Sequence, residues 1–211
     1  MAKLRTIHHG IDLRLYPVVK NKQQYLSFIG RIAPIKGTHI AIDVAQRTGI
    51  PLKIAGQVQP INREYFEKKI RPHIDGKLVE YVGPADLRDK NELLGNSMAM
   101  LFPIQWNEPF GLVMVEAMAC GTPVIAYPYG SVPEIMKEGV SGFIVPDAPS
   151  AAAAIKNVDK VDRKKCREYF ETRFTSARMA EDYLAIYERL IKGQSAPIPH
   201  SEGALSWTKS A

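Results

Sequence analysis

Residues 99–126 have the sequence AMLFPIQWNEPFGLVMVEAMACGTPVIA, in which a helix pattern lies between two short apolar runs. Residues 99–102 and 124–126 predict strands. Residues 111–119 predict a helix, with Gly121 just past its end. Because this helix is apolar on almost every side, we expect it to be buried. A strand–helix–strand unit of this kind is typical of an α/β fold.

The same alternation of strand and helix patterns continues on both sides of this unit. Further short apolar runs predict strands at residues 25–29, 52–55, 78–82 and 142–145. Helical spacing predicts helices at residues 38–48, 62–73, 86–96 and 132–137, with Asp86 as the N-cap of the third. Apolar strands without polar alternation are typical of a parallel sheet that helices cover on both faces. The sequence therefore predicts a doubly wound α/β domain with a parallel sheet of about six strands.

Two stretches flank the predicted sheet. After residue 147, helix patterns occupy residues 151–158, 163–172 and 176–192, so that the predicted domain covers residues 24–192. Residues 193–211 are rich in Gly, Ser, Pro and Ala and predict a disordered tail. Residues 1–23 contain no convincing element of their own.

The 211-residue chain is 45% apolar and 24% charged, which is ordinary for a soluble globular protein. It contains no run of about 18 apolar residues that could span a membrane. Residues 1–10 also lack the apolar segment of a secretory signal. The two cysteines, Cys120 and Cys166, have no metal-ligand or redox spacing. We therefore expect no metal site and a reducing, cytoplasmic location.

The net charge of +6 is compatible with nucleic acid, an anionic membrane surface or a phosphorylated ligand as a partner. The densest positive run, residues 156–178, is interleaved with acidic residues. We favour a solvated helical face for this run, with weak docking to anionic lipid at the inner face of a membrane as the alternative. No nucleic-acid partner is expected.

Glu116 is the one charged residue within an otherwise apolar predicted helix. A buried carboxylate is costly unless other groups satisfy it. Helical side chains lean toward the N-terminus, so Glu116 could reach back over the helix start. Two carboxylate oxygens can accept hydrogen bonds from two neighbouring hydroxyls, as in a ribose diol. A buried ion pair with an Arg or Lys is the alternative, and the residues alone do not separate the two.

The start of the same helix has the features of an anion site. Pro109 imposes an extended or turn conformation before it. Residues 110–112 then offer backbone N–H groups at the positive end of the helix dipole, and Gly111 permits a close approach by a ligand. Glu108 precedes this turn, where it could face a sugar hydroxyl or could be a solvated loop carboxylate.

Two cations lie at the same predicted edge of the sheet. Gly30-Arg31 follows the first strand, and Lys36-Gly37 opens the next helix. Ligands of open parallel sheets bind beyond the carboxyl ends of the strands. Arg can bind a phosphate through two hydrogen bonds, and Lys acts as a point charge. Lone cations near loops are usually solvated, and only the position beside the anion site favours a role for these two.

These residues together resemble a known pattern. Glu108 and Glu116, with seven residues between them, match the E-x7-E signature of family 4 retaining glycosyltransferases with the GT-B fold. The matching surroundings are Gly30-Arg31, Lys36-Gly37, Gly56, Gly83, the Glu-Pro-Phe-Gly run at residues 108–111, and Pro133-Glu134-Ile135. His9-Gly-Ile-Asp12 resembles the segment that joins the two domains in this family. The resemblance extends over residues 9–192 and implies the Rossmann-like C-terminal domain of a GT-B fold.

The resemblance also implies roles for matching residues. Arg31 and Lys36 would hold the donor diphosphate and stabilise the leaving nucleoside diphosphate, which makes them catalytic together with Glu108. Glu116 would bind the ribose, and Glu108 would hold the transferred sugar. The other donor contacts are assigned to Gly30, Phe110, Gly111, Leu112 and Val113, and the base to the loop of Val82, Gly83 and Pro84 and to Leu87. The substrate would be a UDP- or GDP-sugar, with no metal or other cofactor.

The sequence departs from the family in two ways. Ile35 stands where members often carry Glu before the Lys-Gly pair, so we expect a differently shaped loop there. Complete members also have a first domain that binds the acceptor, whereas residues 1–23 resemble only the linker. We therefore expect an excised domain that binds a nucleotide sugar but transfers sugar poorly without its N-terminal partner domain. The last predicted helix resembles the one that crosses back to that domain.

Two other classes of protein stay open. A GT-B relative such as a sugar-nucleotide epimerase or a phosphorylase would share the fold but use other reactive groups. A non-catalytic binding module would use the fold as a scaffold. Ordinary dinucleotide binding is disfavoured, because no G-x-G-x-x-G follows the first predicted strand.

Overall fold

A single six-stranded sheet forms the centre of the structure, a computed structural model that describes residues 6–18 and 24–193. All of its neighbouring strands pair in parallel. The strands are β1 (Leu26–Ile29), β2 (Leu52–Ala55), β3 (Val79–Gly83), β4 (Ala99–Phe102), β5 (Val124–Ala126) and β6 (Gly142–Ile144). Their spatial order is β3-β2-β1-β4-β5-β6. The prediction of a doubly wound parallel sheet of about six strands is confirmed.

Helices connect the strands and cover both faces of the sheet. They are α1 (Thr38–Thr48), α2 (Arg63–Tyr65), α3 (Leu87–Asn96), α4 (Leu112–Ala119), α5 (Val132–Ile135), α6 (Ala148–Ile155), α7 (Arg163–Arg173) and α8 (Ser176–Ile191). The predicted N-cap is confirmed, because the Asp86 carboxylate accepts a hydrogen bond from Asp89 N at 2.9 Å. None of the helices in residues 6–18 and 24–193 is both long and apolar enough to cross a membrane.

The helix predicted at residues 62–73 is wrong as a continuous α-helix. After α2, the chain forms a π-helical turn at Phe66–Ile70 and then a 3-10 turn at Arg71–His73. Pro72 lies in the last turn. Because proline has no backbone N–H and its ring clashes with the preceding turn, it prevents α-helical hydrogen bonding from continuing through this segment.

The strand order creates a switch point between β1 and β4. The chain proceeds outward from β1 to β2 and β3, then returns to the other side of β1 with β4, β5 and β6. The connections that leave the carboxyl ends of β1 and β4 therefore diverge to opposite sides. Such a divergence opens a crevice beyond the strand ends, where ligands of this fold class bind.

Two apolar clusters fill the two faces of the sheet. One contains Phe28 and Ile54, with the apolar sides of α1 and α6. The other contains Met100 and Phe102, with α4 and α7. The predicted burial of α4 is confirmed for residues 114–119, whereas Leu112 at its start is 49% exposed. Glu116 is among the buried residues, at 9% exposure.

Residues 6–18 pack on the domain near α7 and α8. Ile11 N donates to Phe174 O, and Ser176 N donates to Ile11 O, which ties this segment to the junction between the two helices. A short 3-10 helix, Leu13–Leu15, follows. Most of the predicted disordered tail, residues 194–211, lies outside the described residues, as do residues 1–5 and 19–23.

The prediction of a solvated helical face at residues 156–178 is wrong for two arginines of α7. Arg163 donates to Ser97 O, Gly95 O and the Thr122 hydroxyl, at 2.7 to 2.8 Å. Arg167 donates to Ala119 O, at the end of α4. Carbonyl groups at helix ends have no partner within the helix. The two guanidinium groups donate hydrogen bonds to such carbonyl groups, and they thereby join α7 to the rest of the domain.

Candidate functional site

A cleft of about 260 Å³ opens at the switch point, beyond the carboxyl ends of β1 and β4 and against the start of α4. It is lined by Ile29, Gly30, Arg31, Lys36, Lys90, Phe102, Glu108, Gly111, Leu112, Val113 and Glu116. The structure thus brings most of the predicted site residues to one place. Five predicted residues do not line this cleft, namely Val82, Gly83, Pro84, Leu87 and Phe110.

The start of α4 forms one wall. Gly111 precedes the helix with a positive φ of 79°, a left-handed conformation that favours glycine. A Cβ at this position would also lie 2.5 Å from the Met114 methyl group. The first N–H groups of an α-helix have no partner within the helix. Because Leu112 and Val113 line the cleft, this positive end of the helix dipole borders it.

Glu108 and Lys36 form an ion pair that also lines the cleft. Lys36 Nζ lies 2.5 Å from Glu108 Oε2, and the two side chains are only 16% and 13% exposed. Trp106 Nε1 donates to the same oxygen at 3.0 Å. The interpretation of Glu108 as a solvated loop carboxylate is therefore wrong. The carboxylate is fixed by two donors.

Close backbone packing brings Lys36 to this position. Gly37 has a φ of 75°, and a Cβ there would lie 2.0 Å from Pro103 O. Gln105 N also donates to Ile35 O at 2.8 Å. The loop after β1 is thereby joined to the loop after β4. The Lys36–Glu108 pair depends on this junction.

Glu116 is satisfied within the domain. Lys90 Nζ lies 2.5 Å from Glu116 Oε1, and the Tyr16 hydroxyl donates to the same oxygen at 3.1 Å. The alternative of a buried ion pair is therefore correct, and the partner of Glu116 is a lysine of α3. The carboxylate also lines the cleft, so its predicted contact with a ribose remains a prediction.

Sequence reasoning did not identify Lys90 or Tyr16. The spacing of α3 contained a signal for Lys90, since Leu93 and Leu94 are buried and lie three and four residues after it. Such residues share one side of a helix. Tyr16 gave no signal, because its segment has no regular pattern. Burial, followed by the neighbouring Glu116 carboxylate, raises the pKa of the Tyr16 phenol, which keeps it a hydrogen-bond donor.

Arg31 differs from the two lysines. Its side chain is exposed, and its guanidinium contacts Gln59 Oε1 at 3.4 Å. The lining side chains comprise three cations, Arg31, Lys36 and Lys90, and two carboxylates. Since both lysines are paired with the carboxylates, Arg31 gives the cleft its net positive charge. This arrangement favours an anionic ligand.

The remaining predicted residues lie outside the cleft, and Val82 and Pro84 border a separate groove. The Phe110 ring contacts the rings of His9 and Phe174, with centroids 4.9 and 6.1 Å apart, so that only its backbone is close to the helix start. Gly83 ends β3, where its carbonyl accepts from Gly56 N at 2.8 Å. Leu87 is 37% exposed and borders a separate open groove along α3. Their predicted contacts with the donor remain predictions.

Known proteins share both the sequence and the fold of this chain. Spore coat protein SA of Bacillus subtilis (strain 168) is 26% identical over 226 residues, covering 89% of this chain and 59% of that protein. The crystal structure of AviGT4, a glycosyltransferase involved in avilamycin A biosynthesis, matches with a TM-score of 0.76 and 28% identity, over 89% of this chain and 58% of that one. The chain spans about half the length of the curated relatives it matches, for example 48%, 51% and 59% in three of them.

A third similarity concerns the fold alone. Anabaena HepE, solved in complex with UDP and glucose, matches with a TM-score of 0.75 at 23% identity, over 87% of this chain and 56% of that one. These neighbours confirm the predicted Rossmann-like domain of the GT-B fold. Residues 17–173 match the family model described as glycosyl transferases group 1. Since that match covers most of the sequence, the chain belongs to the glycosyl transferases group 1 family.

Proposed function

We propose that the chain is the donor-binding domain of a retaining glycosyltransferase, which moves a sugar from a nucleoside diphosphate sugar to an acceptor. The observation that carries the proposal is the cleft at the switch point. It combines a helix start with three cations and two carboxylates in one place. A helix start and cations can bind a diphosphate, and carboxylates can accept hydrogen bonds from hydroxyl groups.

In the proposed complex, the diphosphate lies against the start of α4, within reach of Arg31 and Lys36. Charge develops on the diphosphate as the bond to the sugar breaks. Fixed cations and N–H groups that lie where this charge develops stabilise the transition state. Arg31 is exposed and therefore free to reach a ligand. In this role it is a catalytic residue, together with Lys36.

The carboxylates hold the two hydroxyl-bearing parts of the donor. Glu116 binds the ribose, and Glu108 binds the transferred sugar. Each carboxylate is already fixed by two donors, Lys90 and Tyr16 for Glu116, and Lys36 and Trp106 for Glu108. A fixed acceptor selects a ligand by the direction of its hydroxyls. HepE, whose fold is similar, was solved in complex with UDP and glucose, which supports the proposal of a nucleotide-sugar donor.

We further propose that the acceptor is bound by a domain outside this chain. The chain spans about half of its relatives' length. Helix α8 also exposes a row of large apolar side chains at helical spacing, namely Tyr183, Leu184, Tyr187, Leu190 and Ile191. Apolar rows of this kind usually mark an interaction surface. Both observations support a partner domain and weak or absent transfer by this chain alone.

Titration calorimetry with UDP, GDP and ADP tests the proposal. We expect at least one nucleotide to bind, and we expect EDTA to leave its affinity unchanged because Arg31, Lys36 and the start of α4 supply the positive charge at the diphosphate site. The double variant Arg31→Ala/Lys36→Ala should weaken this binding by about 100-fold or more. Failure of all three nucleotides to bind at millimolar concentration would contradict the proposal.

A further inference from the structure

Tyr16 connects the N-terminal segment to the cleft. It is 5% exposed, whereas Leu15 beside it is 48% exposed. Its hydroxyl donates to Glu116 Oε1 at 3.1 Å, across a separation of 100 residues in sequence. The side chain therefore contacts a residue of the proposed ribose site without lining the cleft itself.

Three hydrogen bonds hold the backbone of this segment. Arg167 donates to Tyr16 O at 2.6 Å, and Asn91 Nδ2 donates to Leu15 O at 2.5 Å. Tyr16 N donates to Leu13 O at 3.3 Å. Because α7 and α3 both supply donors, the backbone that carries the Tyr16 side chain is held from two helices.

The Glu116 carboxylate is fixed through one of its oxygens. Within the described part of the chain, Tyr16 and Lys90 both donate to Oε1. A carboxylate with two donors on one oxygen cannot rotate freely about its terminal bond. Its second oxygen, Oε2, retains its capacity to accept hydrogen bonds from a ligand in the cleft.

We propose that Tyr16 is a positioning residue for ribose recognition: by holding Glu116 Oε1, it directs Oε2 toward the ribose hydroxyls. The inference rests on the proposed function, in which Glu116 binds the ribose. It adds that selection of ribose over deoxyribose depends on a residue of the N-terminal segment. Lys90 acts on the same oxygen and shares this role.

The test compares the affinities of UDP, GDP and ADP with those of their 2′-deoxy counterparts. The measured quantity is the dissociation constant of the 2′-deoxy nucleotide divided by that of the ribonucleotide. It is determined for the nucleotide that the wild-type chain binds best. Tyr16→Phe removes one hydroxyl and leaves Glu116 paired with Lys90. We expect the ratio to fall by about three- to tenfold, since an incorrectly oriented carboxylate gains less from the 2′-hydroxyl.

Tyr25→Phe is the matched control. Tyr25 is also 5% exposed, and its hydroxyl donates to Leu93 O at 2.9 Å, away from the cleft. Its loss should lower the melting temperature as Tyr16→Phe does, but should leave the ratio unchanged. A purely structural role for Tyr16 would give the same unchanged ratio in both variants.

Lys90→Gln provides a second variant, should Tyr16→Phe fold poorly. Loss of the ammonium charge weakens attraction to the diphosphate equally for both nucleotides, so this effect cancels in the ratio. A fall in the ratio in Lys90→Gln therefore supports the part of the inference that assigns the orientation of Glu116 to the donors on Oε1. Nucleotide binding with the wild-type ratio in Tyr16→Phe, or in Lys90→Gln where Tyr16→Phe does not fold, would overturn the inference alone. No nucleotide binding by the wild-type chain would overturn the proposed function and the inference with it.

Discussion

The Lys36 ammonium lies 2.5 Å from the Glu108 carboxylate, so the cation proposed for the diphosphate and the carboxylate proposed for the sugar bind each other. The two groups come from different loops, one after β1 and one after β4. A donor that uses both must therefore compete with this ion pair. The ion pair therefore reduces the electrostatic attraction between Lys36 and a diphosphate.

We expect Glu108→Gln to bind a free nucleoside diphosphate more tightly than the wild-type chain does, by about three- to tenfold. The substitution removes a negative charge next to the phosphate site and releases Lys36 from a pair that is largely shielded from solvent. The glutamine oxygen can still accept from Trp106, which preserves the loop. Calorimetry with UDP and GDP gives the affinities.

Glu64→Gln is a suitable control, because Glu64 forms an exposed pair with Lys68 on another part of the surface. It should leave the affinity unchanged. Weaker nucleotide binding by Glu108→Gln would show that the carboxylate supports the phosphate site instead of competing for its lysine.

Arg31→Ala should weaken nucleotide binding by about 10- to 100-fold, because a charge-assisted hydrogen bond to phosphate is lost. The affinity of the variant should also depend less on salt concentration, since one cation no longer contacts the ligand. Arg47→Ala is the control, as Arg47 pairs with Asp43 and borders a different groove. Equal salt dependence in Arg31→Ala and the wild-type chain would contradict a direct phosphate contact.

Gly37→Ala tests the junction that carries Lys36. Alanine at this position would have to adopt a left-handed backbone conformation, and its Cβ would lie 2.0 Å from Pro103 O. We expect a loss of about 3 kcal/mol or more in the free energy of unfolding. Gly49→Ala is the matched control, since Gly49 has a similar φ of 69° with no atom within 4 Å of the added Cβ. It should cost about 1–2 kcal/mol. Urea unfolding measures both, and equal losses would show that the contact with Pro103 is relieved at little cost.

The sequence predicted the fold well because that information is local. Each strand is a short apolar run with a turn signal at its end, and α4 is apolar on almost every side. The failure at residues 62–73 is local too. Pro72 stands inside a pattern with helical spacing, and a proline inside such a pattern ends α-helical hydrogen bonding whatever the spacing around it.

The partners of the site residues could not be predicted in the same way. Tyr16 and Glu116 are 100 residues apart, and Lys36 and Glu108 are 72 apart. Spacing places a residue on one side of its own element, but it does not select a contact across the sheet. Phe110 shows the opposite error: it adjoins the helix start in sequence, yet its ring packs away from the cleft, against His9.

The two cysteines should be inert toward alkylation in the folded chain. Burial raises the pKa of the Cys120 and Cys166 thiols from about 9 to about 12. The thiolate is the reactive form, and it is scarce at pH 8.5 in such surroundings. We expect iodoacetamide to leave both residues unmodified in buffer and to modify both in urea, as mass spectrometry would show. Ala153→Cys, which adds a thiol at an exposed position of α6, provides the reactive control.

The same shifts give stability a defined dependence on pH. The folded chain holds the thiol protons more tightly than the unfolded chain does, so this contribution is complete below about pH 9 and is lost as pH rises toward 12. The free energy of unfolding should therefore fall across that range, and less steeply in Cys166→Ala than in the wild-type chain. Parallel slopes in the two proteins, or rapid alkylation of either native thiol at pH 8.5, would show that the thiols are not shielded in this way.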